Sequence, residues 1–307
     1  MSSLSVVIPT HGRSALVPRA VESVLRQDFE GFIEVIVVFD RCEIIDLTPD
    51  DLPTNRRVTC LANDRQGGVR GARNTGILAA KSELLAFLDD DDEWLFTKVS
   101  KQVEILRANG TDAVFTGIRF VAGNRYRDYI PRLPPDEPSR GLIGGGVFLP
   151  IQTLMLRRDI HGRTLVDESF PTGGDQEYAL RIVLEGSVEC LDEPLVLVHR
   201  AHTARLSLGY QSRLENSRHM REKHADLYRR FDPDLSGRDA RLALLAIGAG
   251  KRTEARSWAL KAVRASPRRP QNWLVAGAAL LLPAVGLETL QRLHHRFFWK
   301  RLPSAET

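Results

Sequence analysis

The sequence predicts an α/β fold: an open, mostly parallel sheet with helices on both faces, followed by a basic, all-helical C-terminal region. Three observations carry this. Short apolar runs alternate with helix-period stretches over residues 4–205. Those runs are apolar on both faces, as strands buried between two helical layers must be. From about residue 206 the strand-like runs stop and only helical periodicity remains.

Leu4 to Ile8 reads as a buried strand that ends at Pro9-Thr10-His11-Gly12. Leu16, Ala20, Val21, Val24 and Leu25 then share one helical face, and Pro18 is tolerated in a first turn. Ile33 to Phe39 is a second strand, ending at Asp40, and Val58 to Leu61 a third. Gly67-Gly68 breaks the chain before a helix over Ala72 to Ala80. Leu84 to Leu88 is a fourth strand, Val99 to Leu106 a helix and Ala113 to Thr116 a further strand. Residues 117–150, with Pro134-Pro135 and Gly144-Gly145-Gly146, read as a long excursion able to order over a ligand. Asp175 to Glu185 reads as a helix after Gly173-Gly174, and Leu195 to Val198 as strand-like.

In the C-terminal part, Leu242, Leu245 and Ala246 form one apolar stripe. Ala255, Trp258, Ala259, Ala262 and Val263 form another, which stops at Pro267. Together they make a helical hairpin; one pair is no repeat array. Trp273 to Leu287 lacks charge but falls short of the roughly 20 residues a membrane span needs. The basic aromatic patch His294 to Arg301 follows. It reads as a basic cap on a buried helix or as in-plane contact with a membrane surface.

Bulk numbers narrow the classes. The 307 residues suit one large domain and a smaller one, read as residues 1–205 and 206–307. Charge is divided unevenly: residues 1–205 carry 24 Lys and Arg against 30 Asp and Glu, and residues 206–307 carry 19 against 9. A basic tail of this kind fits an anionic partner or a solvated helical surface. Cys42, Cys60 and Cys190 have no metal-ligand spacing, and their scarcity suits a reducing compartment. The apolar run after Met1 is too short for a signal peptide, so a cytoplasmic location is expected.

The most informative segment is Leu84-Leu85-Ala86-Phe87-Leu88 running into Asp89-Asp90-Asp91-Asp92-Glu93-Trp94. Adjacent carboxylates repel unless something cationic sits among them. A divalent ion with oxygen ligands answers this, because Mg²⁺ takes one or two protein carboxylates and completes its shell from phosphate and water. Ligands of open α/β sheets bind at the C-terminal strand ends, where Asp40 and Asp89 both fall. A solvated acidic turn is the plain alternative.

Four segments, in order, resemble a family 2 glycosyltransferase with the GT-A fold, over roughly residues 4–205. They are Ser5-Val6-Val7-Ile8-Pro9-Thr10-His11-Gly12-Arg13, Val35 to Asp40, Gly71-Ala72-Arg73-Asn74-Thr75-Gly76-Ile77, and Phe87 to Trp94 with its DxD-type acidic run. The resemblance implies that Pro9, Thr10, Arg13 and Asp40 line the nucleotide, that Arg73 reaches it, and that Asp89 and Asp90 lie against ribose and metal. It implies Asp91 as the direct ligand of Mn²⁺ or Mg²⁺, and His202 as a further ligand. Asp92 and Glu93 are read as caps of the following helix. Gly174-Asp175-Gln176-Glu177 resembles the family's "ED" segment, with glycine in place of its glutamate, and implies Asp175 as the catalytic base. Without the family, Asp40 reads as a cap or turn residue, Asp175 as the N-cap of its own helix and Arg73 as a surface ion pair.

The resemblance further implies inverting transfer of one sugar from a nucleotide-diphosphate donor to a saccharide or lipid-linked acceptor, in cell-surface glycan synthesis. The QxxRW pattern of processive synthases is absent. No nucleic-acid partner is expected. Two other classes stay open: a metal-dependent phospho- or nucleotidyltransferase, which covalent phosphate trapping would reveal, and an inert binding scaffold, which would bind nucleotide without sugar turnover.

Overall fold

A computed structural model of the chain describes residues 2–12, 15–123, 125–161, 164–170, 174–199, 209–231 and 235–281. The chain divides into two compact units. The first comprises Met1–Leu142, Val147–Ser169 and Gly174–Thr203; the second comprises Ile143–Gly146, Phe170–Gly173 and Ala204–Thr307.

The first unit opens with β1 (Ser3–Thr10), α1 (Val17–Leu25), β2 (Phe32–Phe39), β3 (Arg56–Ala62), α2 (Val69–Ala79) and β4 (Leu84–Phe87). It continues with β5 (Asp92–Trp94), α3 (Lys98–Ala108), β6 (Ala113–Ala122), β7 (Arg125–Tyr129) and α4 (Pro138–Ile143). After a 3-10 turn at Ile151–Thr153 come β8 (Met155–Arg157), α5 (Arg158–His161), α6 (Gly174–Glu185) and β9 (Val188–His199). The strands form one sheet in the order β3-β2-β1-β4-β8-β6-β9-β5, with β7 on β6. The pairs β2–β3, β1–β2 and β1–β4 are parallel, as is β6–β9, whereas β8 and β5 enter antiparallel.

The parallel half is apolar on both faces because both faces are covered. Val6, Ile8, Val35, Val37, Ala86 and Leu88 join Val17, Ala20, Val21 and Val24 of α1 and Val99, Val103 and Leu106 of α3 in one core. On the opposite face α2 approaches β1 so closely that a side chain on Gly76 would collide with Val7. Full burial of each such aliphatic side chain contributes about 1.5–3 kcal/mol.

Two expectations are corrected here. Residues 117–150 are not one long excursion. β6 runs on to Ala122, turns at Gly123 (φ +60°) and pairs with β7. Arg119 bridges Asp128 across the hairpin and lies over the Tyr126 ring, so exposed polar residues replace the apolar signal of a strand. Asp92 and Glu93 do not cap the next helix. They form β5 against Val198 and Leu197 of β9, and α3 begins only at Lys98. Lys98 itself is buried, donates to Gln102 Oε1 at 2.7 Å and sits over the Trp94 ring at 3.7 Å. Burial holds its ammonium pKa well below the ordinary lysine value.

The second unit contains α7 (Tyr210–Lys223), α8 (Ala225–Phe231), α9 (Ser236–Gly248), α10 (Arg252–Ala265) and α11 (Pro270–Leu281). Leu242, Leu245, Ala246, Ala255, Ala259 and Ala262 meet in its core, as the two apolar stripes predict. Trp273, Leu274, Leu280 and Leu281 of α11 stay exposed. The expected patch at His294 to Arg301 lies outside the described residues. No described helix is long and apolar enough to cross a membrane.

Candidate active site

The parallel register brings three strand ends together. Thr10 is level with Phe39 of β2, the Asp40 N–H donates to the Thr10 carbonyl at 2.8 Å, and the Leu88 N–H donates to Val7. Thr10, Asp40 and the acidic run after β4 therefore share one edge, the edge where open α/β sheets bind ligands. Pro9 is buried in β1, opposite Val38.

The first half of α2 links this edge to the rest of the unit. Gly68, with φ of +113°, precedes the helix, and a side chain on Gly71 would collide with the Gln66 carbonyl. Three consecutive side chains then reach three different segments. Thr75 donates to Asp64 and Asn63. Asn74 donates to the Val166 carbonyl at 2.8 Å and accepts from the Val166 N–H at 2.8 Å, while also donating to Glu168.

Arg73 makes the central contact. Its buried guanidinium donates to Asp89 Oδ1 at 2.7 Å and to Asp175 Oδ1 at 2.6 Å. Burial alone would lower its pKa; Asp175 and Asp89 outweigh burial and raise it. The motif implied that Arg73 reaches the nucleotide. The structure instead commits its guanidinium to two carboxylates, one after β4 and one in the first turn of α6. Their side chains remain about one-third exposed, 31% and 28%, so both still face solvent.

Other expected residues have structural partners as well. The Asp40 carboxylate accepts from Asn63 Nδ2 at 2.7 Å and from the Gly68 N–H at 2.8 Å, tethering the turn into α2. His11 Nδ1 contacts the Asp40 carbonyl. Arg41, the one described residue other than glycine with positive φ, +52°, follows Asp40 and lies against Gly67. Asp90 is buried and accepts from the Thr10 hydroxyl at 2.7 Å, so Asp90 and Thr10 brace each other. Asp91 is partly exposed, and its carbonyl accepts from Arg19. Arg13 and His202 lie outside the described residues.

Among the described residues no three His, Cys, Asp or Glu converge into a metal cage. The two partly exposed carboxylates, Asp89 and Asp91, are hard oxygen donors. They suit an ion that keeps only one or two protein ligands and completes its shell from phosphate.

Sequence reasoning missed the cluster in which Glu93 forms an ion pair with Arg19 at 3.1 Å and meets His199 Nε2 at 2.6 Å. It also assigned no role to Asn74. These pairs join residues far apart in the chain, and no spacing announces them. Gly174 has a local explanation: Arg70 lies 3.2 Å from where a β-carbon on residue 174 would sit.

Residues 5–164 match the family model of glycosyl transferase family 2, more than half of the chain. The chain is 29% identical over 217 residues to UDP-Glc:alpha-D-GlcNAc-diphosphoundecaprenol beta-1,3-glucosyltransferase WfaP of Escherichia coli, covering 67% of this chain and 80% of that protein. Its fold is similar to S. aureus TarS 1-349 in complex with UDP, with a TM-score of 0.57, 15% identity, and coverage of 97% of this chain and 93% of that one. It is also similar to the mannosyltransferase PcManGT from Pyrobaculum calidifontis in complex with GDP-Man and Mn2+, with a TM-score of 0.52, 17% identity, and coverage of 94% and 82%. These solved structures identify the fold as that of GT-A glycosyltransferases.

Proposed function

The chain belongs to glycosyl transferase family 2, and on that premise we propose that it moves a single hexose from a UDP-sugar to a hydroxyl of a lipid-linked saccharide, with inversion at the anomeric carbon. One observation carries the reading. Arg73 holds a carboxylate of the donor-side strand end and a carboxylate of a separate helix in one ion-pair bridge, at 2.7 and 2.6 Å. The names of the bacterial relatives support a UDP-linked donor and an undecaprenyl-diphosphate-linked acceptor. The PcManGT complex with Mn2+ supports a divalent ion.

Asp175 is the base. Its Oδ1 is held by Arg73, which fixes the carboxylate and leaves Oδ2 to take the proton of the acceptor hydroxyl as that oxygen attacks the anomeric carbon. The bond from sugar to diphosphate breaks in the same displacement, and UDP leaves. A single base and no enzyme nucleophile imply inversion. Asp91, with Asp89, would hold Mn²⁺ or Mg²⁺, which when bound supplies positive charge against the departing diphosphate. Arg73 is a positioning residue: it sets Asp175 relative to Asp89. The lone pairs of Asp40 left over from Asn63 and Gly68 accept from the base.

The exposed apolar residues of α11, with the Arg-rich sequence around them, support peripheral attachment at the cytoplasmic membrane surface, where such an acceptor resides.

Calorimetric titration with UDP, GDP and dTDP, each with and without Mn²⁺, tests the reading. Metal-dependent binding of UDP is expected, with affinity reduced about tenfold or more in Asp91→Asn, as loss of a ligand or its support typically gives. No nucleotide binding in the wild type, with or without the metal, would overturn it.

A further inference from the structure

The helical unit contains a concentration of positive charge that sugar transfer does not use. Arg238 and Arg241 lie three residues apart on α9, so both project from one helical face. The Arg238 guanidinium rests on the glycine loop, where a β-carbon on Gly145 (φ +68°) would lie 3.0 Å from Nη1. It also lies over the Tyr228 ring at 5.6 Å. Nη2 of Arg238 and Nε of Arg241 are withdrawn from solvent with no hydrogen-bond partner.

The neighbouring carboxylate does not explain this arrangement. Asp239 accepts from Arg221 of α7. Burial, then the guanidinium groups of Arg238 and Arg213, push the Arg241 pKa down to about 10, with Tyr228 acting in the opposite sense. Burial lowers Arg213 too. The Gly144–Gly146 loop falls in the same compact unit as these helices.

Desolvated like charges without a counter-charge destabilise a fold, and a bound anion removes the penalty. Guanidinium forks suit phosphoryl oxygens in particular. We propose that Arg238 and Arg241, flanked by the Gly144–Gly146 loop, form a binding site for a phosphoryl group. The ligand is a phosphate ester, either soluble or carried on a lipid headgroup. This goes beyond the sugar-transfer reading and does not depend on it.

The test uses the full chain in EDTA, which silences metal-dependent binding elsewhere. Inorganic pyrophosphate is titrated calorimetrically into wild type and Arg238→Gln/Arg241→Gln, and both are sedimented with phosphatidylcholine vesicles with and without phosphatidylglycerol. The expected result is pyrophosphate binding weakened at least about tenfold in the variant, a full decade corresponding to 1.4 kcal/mol. The ligand-free variant should melt no lower than wild type, since the repulsion it loses outweighs the contact of Arg238 with the Tyr228 ring. Phosphatidylglycerol-dependent sedimentation lost in the variant, without pyrophosphate binding, supports the site with a headgroup as its source. Pyrophosphate binding without sedimentation supports a soluble source. Equal binding by both proteins, or no response to either probe, overturns the proposal. If the double variant fails to fold, Arg241→Lys keeps the charge and removes the fork, and unchanged pyrophosphate affinity there overturns it equally. A UDP titration of the same samples with Mn²⁺ reads the carboxylate site separately.

Discussion

Arg73 and Arg241 place the same chemical group in two contrasting settings. Both have guanidinium atoms withdrawn from water, which by itself lowers the pKa. Around Arg73 the chain places Asp89 and Asp175, and the balance reverses in favour of the charged form. Around Arg241 it places Arg238 and Arg213, and the value falls to about 10. The first arrangement is complete within the protein and serves geometry. Among the described residues the second shows no carboxylate that raises the Arg241 value, and the proposed ligand is its completion. Counter-charge, not burial, separates a strut from a receptor here.

The comparison yields predictions of decreasing size. Asp175→Asn should keep the shape of the Arg73 bridge while removing the base, lowering kcat about 10³-fold, within the range of general bases. UDP affinity should stay near wild type. Steady-state kinetics beside calorimetry would break the assignment if kcat held.

Arg73→Gln should leave two carboxylates facing each other without a cation. Unfolding in urea should show a loss of about 3 kcal/mol, the low end for breaking a buried pair because both partners are partly solvated. Arg73→Lys should recover part of that stability but little of kcat, since one ammonium cannot fork to both partners. Equal recovery of both would mean that Arg73 supplies charge rather than geometry.

Arg241→Gln should act in the opposite sense and raise stability by about 1 kcal/mol at neutral pH, as removal of uncompensated buried charge does. The sign with pH follows from the lowered value. Below about pH 10 the folded protein carries the full penalty, and it is relieved as pH rises from about 10 towards the unfolded arginine value. The gap in Tm between variant and wild type should therefore be flat from pH 6 to 9 and narrow above that.

Gly174→Glu, which installs the glutamate that the family resemblance implies at this position, should have the smallest effect. Arg70 must yield a few tenths of an ångström and gains a partner, so stability should stay within about 1 kcal/mol. A larger loss in a melting curve would mean that Arg70 cannot move.

Much of the first unit was legible because its strands are buried on both faces and declare themselves by composition alone. β1, β2 and β4 and the gathering of Asp40 and Asp89 at one edge follow from that. The β6–β7 hairpin was not, because Arg119, Tyr126 and Asp128 stabilise it through cross-strand contacts instead of burial. The helical hairpin was legible from its apolar stripes. Of the site, the acidic strand end and Asp175 could be named, but their link could not. A motif gives Arg73 a place in the chain and no information about which carboxylates will lie beside it. The inward turn of Asp90 onto Thr10 is likewise a matter of which way one strand end rotates, and four consecutive aspartates look alike on paper.

The exchange of two hydrogen bonds between Asn74 and the backbone of Val166 has a consequence for where the chain is held. A side chain here imitates a neighbouring strand, so the chain is re-registered against α2 just upstream of Asp175. Both bonds hold only while Val166 keeps its place against α2, so the described segment 164–170 is anchored at that residue. One asparagine thus ties a distant stretch of chain to the same helix that carries Arg73.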